Sequence, residues 1–251
     1  MASDKTTKIT AEVWRKISKK NAVRTCEEGE SMIDFYSKPR YDFDDLCQLV
    51  RVLRAPDGCP WDSVQTHESI RRNFLEEVYE ACEAIDQKDP EHLREELGDV
   101  LLHVVFHAGI EADAGNFTID DVCDAVVKKM IFRHPALFGG EEGLDWDEIK
   151  RREKGQTSPA EELDGVARSL PALWRAEKLQ NKAEKAQLSL ESQDVSAAAK
   201  MLDEQPDKAQ AVGKLLFAAV QAARQYGVDP EMALHGYCET FIRQTKNAGK
   251  E

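Results

Sequence analysis

The sequence is short of basic residues: 34 lysines and arginines stand against 47 aspartates and glutamates, for a formal net charge of -13. Nucleic-acid-binding proteins normally carry a basic surface, so no nucleic-acid partner is expected. Apolar runs fall well short of the roughly 20 residues that a membrane-spanning helix needs, so no membrane partner is expected either. The six cysteines include no C-x-x-C pair, and the N-terminus has no signal-like apolar core. We therefore expect a reduced, cytoplasmic location.

The sequence also lacks the alternation of polar and apolar residues that is typical of β-strands, which predicts an all-α fold. Residues 1–40 are a polar extension with one candidate helix at 9–19. A helix is predicted from Asp42, ending at a proline- and glycine-rich loop over 55–60. Thr66 is a candidate cap for the acidic helix that follows, and a further helix is predicted over 119–132.

Two acidic motifs are the most informative feature. Glu76, Glu77 and Glu80 form an E-E-x-x-E motif. Glu96 is the first residue of an E-L-G-D motif, and Asp99 is its last. Residues three or four apart share one face of a helix, so two such helices packed together would bring four carboxylates to one point. Such a cluster needs a counter-charge, and hard oxygen ligands suit Mg²⁺ or Mn²⁺. The first motif alone would also fit an ordinary solvated helix face.

The helix that carries Asp99 strengthens this interpretation. Most of residues 97–110 are apolar, which indicates a buried helix. Asp99, His103 and His107 lie within about 60° of Glu96 around the helix axis. A buried carboxylate without a partner costs several kcal/mol, so a metal ion is the expected compensation. His103 and His107 fit hydrogen-bonded core histidines better than metal ligands.

Together with the segment L-R-A-P-D-G-C-P-W-D at 53–62 and F-R-H-P at 132–135, these motifs make residues 41–150 resemble the MazG family of nucleoside triphosphate pyrophosphohydrolases. The resemblance implies a MazG-like four-helix-bundle fold in two tandem helical domains, and a homodimer. It also implies Mg²⁺-dependent hydrolysis of nucleoside triphosphates (NTPs or dNTPs) to the monophosphate and pyrophosphate, with Mn²⁺ as a possible substitute.

The resemblance assigns roles to individual residues. Glu77, Glu80, Glu96 and Asp99 would bind the metal, and Glu76 would assist or accept a proton. Further residues match positions that contact the nucleotide in the family, with a solvated basic helix end or a plain core tryptophan as the alternatives: Lys129, Arg133 and Trp146.

A weak internal repeat suggests how the domains are organised. The glycine and apolar run of E-L-G-D recur at 211–217, but Ala211 and Lys214 stand at the positions of Glu96 and Asp99. Residues 170–179 resemble the beginning of the family's second domain. We therefore predict a catalytic domain over 41–150, a linker over 151–168, and a degenerate, non-catalytic domain over 169–251.

Two other functions are compatible with parts of this pattern. A di-iron carboxylate bundle would need E-x-x-H motifs on two helices, and none lies near the acids. A non-catalytic, nucleotide-sensing or scaffold dimer could keep the same fold, but the intact acidic motifs argue against it.

Overall fold

The computed structural model describes residues 35–139, 143, 145–188 and 194–248. Within these residues the chain forms helices and no strand, which confirms the predicted all-α fold. The candidate helix at 9–19 lies outside the described residues. None of the described helices is long and apolar enough to cross a membrane. The α-helices are α1 Phe43–Arg54, α2 His67–Gln87, α3 Pro90–Asp113, α4 Ile119–Arg133, α5 Pro135–Phe138, α6 Trp146–Lys154, α7 Pro159–Asp164, α8 Ala172–Lys185, α9 Val195–Glu204, α10 Lys208–Gln225 and α11 Pro230–Ala248.

The chain divides into two compact units, Met1–Val126 and Val127–Glu251, and the division falls inside α4. The predicted boundaries of 41–150 and 169–251 stay predictions. The segment predicted as a linker, 151–168, contains the end of α6 and all of α7. Val166 within it is buried, and its Glu162 lies 3.5 Å from the ammonium of Lys182 on α8. The segment is therefore packed into the second unit.

In the first unit, α1 begins at a capping box. The side chain of Asp42 accepts the backbone N–H of Asp45, and the side chain of Asp45 accepts the backbone N–H of Asp42. Its apolar face buries Cys47 and Val50 against α3. The loop that ends it turns tightly at Gly58, where a Cβ atom would lie 2.2 Å from the carbonyl oxygen of Val52. The position therefore requires glycine.

The α2–α3 hairpin makes up most of the first unit. Thr66 caps α2 as predicted, and its side chain accepts the Ser69 N–H. Lys88 and Asp89 connect the two helices, and Lys88 adopts the left-handed conformation, with φ of 56°. This short connection makes α2 and α3 antiparallel neighbours. The core comprises Cys47, Val50, Ile70, Val105 and Phe106, with Leu46, Leu102, Ile110 and Ile119 partly buried against it.

The second unit is also helical, and α10 packs against both α9 and α8. Apart from Gln180, its most buried side chains are small, with Ala198, Ala211, Ala218 and Val220 at 0–1% exposure. Gln180 on α8 is fully buried and donates from Nε2 to the carbonyl oxygen of Phe217 at 2.8 Å. Small residues at these contacts allow helices to approach closely, so this unit is held together mainly by packing.

Candidate metal centre

The acidic motifs lie on the two helices of the hairpin, as their spacing predicts. Glu77 and Glu80 are one turn apart on α2, and Glu96 and Asp99 are one turn apart on α3. The apolar side chains of α3 pack into the core through Val105 and Phe106 and fix the rotation of the helix about its axis. This rotation turns Glu96, only 6% exposed, toward α2.

Three carboxylates meet between the helices. One oxygen each from Glu77, Glu96 and Asp99 lies within 4.8 Å of the other two. Glu80 lies outside this group of three, but its negative charge helps to raise the pKa of each member. Its predicted role as a ligand stays a prediction.

The burial and the negative charges of the cluster raise the pKa of its carboxyl groups. Burial, followed by the charges of Asp99, Glu80 and Glu96, raises the pKa of Glu77 to about 7. Burial is also the largest cause of the raised pKa of Glu96 and of Asp99. All three carboxyl groups are therefore harder to ionise than usual, and a positive charge placed among them would relieve this cost.

The residues present fit a divalent cation. Among the described residues, Glu96 Oε2 is buried and has no hydrogen-bond partner. A buried oxygen of this kind is destabilising unless a proton or a cation compensates it. The group contains only carboxylate oxygens, which are the ligands that Mg²⁺ and Mn²⁺ prefer. The cluster can therefore bind a hard divalent ion.

Glu76 points elsewhere. Its Oε1 accepts a hydrogen bond from Arg72 Nε at 2.9 Å, one turn earlier on α2, and the side chain is about half exposed. Its predicted supporting role at the site stays a prediction.

The histidines of α3 form a separate polar group. His107 Nδ1 lies 2.7 Å from Nδ1 of His67 on α2, and His67 Nε2 lies 2.5 Å from Glu111 Oε1. Burial, followed by the neighbouring histidine, lowers the pKa of both His103 and His107. His107 is thus hydrogen-bonded within the hairpin, and among the described residues no histidine belongs to the carboxylate group. The arrangement therefore gives no support to a di-iron site.

The residues predicted to contact the nucleotide belong to the second unit. Arg133 stacks over the ring of Trp146, 5.7 Å from its centroid, and donates from Nε to Glu153 Oε2 at 2.5 Å. The positive charge of Lys129 also lowers the pKa of Glu153, after the larger effect of Arg133. Glu153 is therefore paired with Arg133 and close to the charge of Lys129, while Trp146 contacts the other side of this group through Arg133.

The second unit has no comparable carboxylate group among its described residues. Ala211 on α10 is fully buried, and Ala198 on the neighbouring α9 is 1% exposed. Lys214 follows Ala211 by one turn, at the repeat position of Asp99. The repeat positions of Glu96 and Asp99 thus hold a buried methyl group and a cation.

Comparison with known proteins decides the family. The profile of the MazG nucleotide pyrophosphohydrolase domain matches residues 65–138. A Thermotoga maritima protein named nucleoside triphosphate pyrophosphohydrolase/pyrophosphatase MazG is 37% identical over 217 residues, which cover 81% of this chain and 84% of the relative. The chain belongs to the MazG family. An Escherichia coli K12 protein named nucleoside triphosphate pyrophosphohydrolase is 35% identical over 223 residues, which cover 80% of this chain and 84% of the relative. A Mycolicibacterium smegmatis protein of the same name is 46% identical over 143 residues, or 54% of this chain and 44% of its own.

Two contacts that involve predicted site residues of this MazG-family chain were not anticipated from the sequence. His92 Nε2 lies 3.1 Å from Glu96 Oε1, and their spacing of four residues on α3 is a signal that could have revealed the pair. Glu153 binds Arg133 across 20 residues of sequence. No local pattern indicates a contact of that kind.

Proposed function

We propose that this protein hydrolyses nucleoside triphosphates to the nucleoside monophosphate and pyrophosphate. The observation that carries the proposal is the cluster of Glu77, Glu96 and Asp99, with an orphaned buried oxygen on Glu96. The relatives from Thermotoga maritima and Escherichia coli, similar over most of their length, are named for this activity. The intact cluster favours an enzyme over a nucleotide-sensing or scaffold protein.

Glu77, Glu96 and Asp99 would hold the metal ion, with Glu80 as a further ligand. We propose Mg²⁺ as the physiological ion and Mn²⁺ as a substitute, because every donor is a carboxylate oxygen. When bound, such an ion neutralises phosphate charge, polarises the α-phosphate and lowers the pKa of a coordinated water. The protein fixes the ligands on two packed helices.

Substrate binding must overcome repulsion, since both the substrate and a protein of net charge -13 are negative. We assign phosphate binding to Lys129 and Arg133, because guanidinium and ammonium groups pair well with phosphate oxygens. Trp146, which is partly exposed beside Arg133, offers an aromatic surface for the nucleotide. Glu153 keeps Arg133 in place until a phosphate competes for it.

Glu76 is our proposed proton acceptor during the attack of water. Its carboxylate is next to Glu77 in sequence and is exposed enough to exchange protons with solvent. Arg72 donates a hydrogen bond to its Oε1, which leaves Oε2 as the oxygen that would accept the proton.

The first unit would carry the carboxylate chemistry, and the second unit would have no metal site of its own. We further propose a homodimer that works in the cytoplasm. Exposed apolar side chains one turn apart on each helix of the hairpin fit a buried interface: Leu75 and Tyr79 on α2, and Leu97 and Leu101 on α3. Analytical ultracentrifugation should give twice the chain mass.

The test is product analysis over a panel of ribo- and deoxyribonucleoside triphosphates. Ion-exchange chromatography should show monophosphate and pyrophosphate in equal amounts with Mg²⁺, and no reaction in excess EDTA. Glu96→Gln should remove the activity while leaving the helical circular dichroism unchanged. A diphosphate as first product, or full activity of Glu96→Gln, would contradict the proposal.

A further inference from the structure

Glu96 is held differently from the other members of the carboxylate cluster. Its Oε1 lies 3.1 Å from His92 Nε2, one turn earlier on α3, and the Glu96 side chain is 8% exposed against 34% for His92. The imidazole is therefore the more exposed partner of the pair. One of the two carboxylate oxygens is therefore in polar contact with the ring.

The other oxygen is left for the cluster. Glu96 Oε2 is buried without a partner among the described residues, and Glu96 belongs to the group with Glu77 and Asp99. One oxygen of this carboxylate is thus in contact with a histidine, and the other is buried without a hydrogen bond in the described part of the chain and free to bind a cation. A carboxylate with one oxygen fixed keeps its rotamer, so the direction of the second oxygen is also fixed.

The backbone of His92 is anchored as well. The Asp89 side chain caps α3 and accepts the backbone N–H groups of Glu91 and His92, each at 3.1 Å. A chain of contacts therefore runs from the helix cap through His92 to Glu96. Ordering of this kind reduces the conformational entropy that a flexible glutamate would lose on binding a metal.

We propose that His92 is a positioning residue, whose contact with Glu96 Oε1 directs Oε2 toward Glu77 and Asp99 for binding the divalent cation. The inference rests on the metal centre of the proposed function and adds a residue that the acidic motifs do not contain. His92 acts through Glu96 and does not itself bind the ion.

The internal repeat provides a comparison within the same chain. In the register that aligns Glu96 with Ala211, the position of His92 is occupied by Asp207. Asp207 caps α10, and its Oδ1 accepts the backbone N–H of Gln210 at 3.0 Å. Where the glutamate is replaced by alanine, the histidine donor is absent too.

The experiment measures Mn²⁺ affinity of the full chain by electron paramagnetic resonance, without nucleotide. His92→Ala should weaken Mn²⁺ binding about 10-fold, since removing a partner that orients a metal ligand typically costs about 10- to 100-fold. His92→Gln keeps an N–H donor at a similar reach and should restore most of the affinity. Arg94→Ala is the matched control: it removes a cation from the same turn that pairs with Glu91 at 2.6 Å, and it should bind Mn²⁺ like the parent.

Thermal unfolding should show that all these variants fold, because His92 and Arg94 are both partly exposed. Unchanged affinity in His92→Ala would overturn the proposal. So would equal losses in His92→Ala and His92→Gln, or in His92→Ala and Arg94→Ala. The electron spin echo spectrum of bound Mn²⁺ should show no directly coordinated ¹⁴N, and its detection would make His92 a ligand instead.

Glu96→Gln separates this inference from the proposed function. If Glu96→Gln weakens Mn²⁺ binding and His92→Ala does not, the metal centre stands and the role of His92 is wrong. If Glu96→Gln leaves Mn²⁺ binding unchanged, the metal centre itself is wrong and both proposals fail.

Discussion

Asp99 shows how one residue can oppose stability and serve function. It lies on α3 among core-forming side chains, and burial, Glu95 and Glu80 raise the pKa of its carboxyl. A carboxylate that resists ionisation destabilises the metal-free protein, and the same free energy becomes available to a cation that binds it.

We expect Asp99→Asn to lower Mg²⁺-dependent pyrophosphate release at least roughly 100-fold, because the amide carries no negative charge for the ion. In EDTA the same variant should have a Tm about 2–4 °C higher, since a source of repulsion is gone. Differential scanning calorimetry and a pyrophosphate assay measure the two effects. Asp86→Asn, an exposed acid on α2, should change neither. Full activity of Asp99→Asn would refute its assignment as a ligand.

The raised pKa of Glu77 predicts a pH dependence of stability. Its pKa is about 7 in the folded protein and near 4.5 when the chain is unfolded. The folded state therefore binds the proton more tightly, and the stability that the protonated group contributes is lost as pH rises from about 4.5 to 7.

We expect urea denaturation without metal to show that the free energy of unfolding of Glu77→Gln rises relative to that of the parent over this pH range. Above pH 7 the difference between the two proteins should change little. Glu83→Gln, an exposed acid on the same helix, should show no such trend. A difference between parent and Glu77→Gln that does not vary with pH would disprove the shift. Saturating Mn²⁺ should reverse the advantage of Glu77→Gln.

At the scale of the element, the α2–α3 hairpin can position the carboxylate cluster because the end of α2 and the start of α3 are both fixed at the short connection between them. Lys88 ends α2 in the left-handed conformation, and Asp89 with Pro90 begins α3 at once. The cluster depends on the register between the two helices, so a change at the connection should reach the carboxylates.

Asp89→Ala should lower the free energy of unfolding by about 1 kcal/mol, since it removes the acceptor for two backbone N–H groups at the start of α3. Asp89→Asn should lose much less, because asparagine caps helices about as well. Urea denaturation at pH 7 compares the three proteins. Equal losses in Asp89→Ala and Asp89→Asn would indicate that the charge, and not the cap, stabilises α3.

At the scale of the whole molecule, the two units differ in the groups that they offer to a cation. The first unit contains the carboxylate cluster, and the second has alanine at Ala198 and Ala211 and a cation at Lys214. A fixed positive charge would repel a divalent cation at that place.

The full chain that carries both Glu96→Gln and Asp99→Asn should therefore bind no Mn²⁺ tightly and hydrolyse no nucleoside triphosphate. The intact second unit is the internal control in this experiment, because both substitutions lie in the first unit. Isothermal titration with Mn²⁺ and a pyrophosphate assay provide the measurements. Turnover that remains and is inhibited by EDTA would place a second metal site outside the cluster.

The sequence by itself determined the helical fold, the start of α2 at Thr66 and the pairing of acids along each helix. These features depend on periods of three to four residues and on capping groups next to each other in the chain, which are local properties. The boundaries of α4 were also predictable, since 119–132 differs from Ile119–Arg133 by one residue.

Only the tertiary structure decided which of these side chains meet. Glu76 and Glu77 lie about 100° apart around α2, and only the packing against α3 decides that Glu77 joins the cluster while Glu76 pairs with Arg72. The contact of His67 with His107 and of Arg133 with Glu153 likewise depends on how helices pack. Packing fixes the rotation of each helix about its axis and the rotamer of each buried side chain, and neither is set by the local sequence pattern.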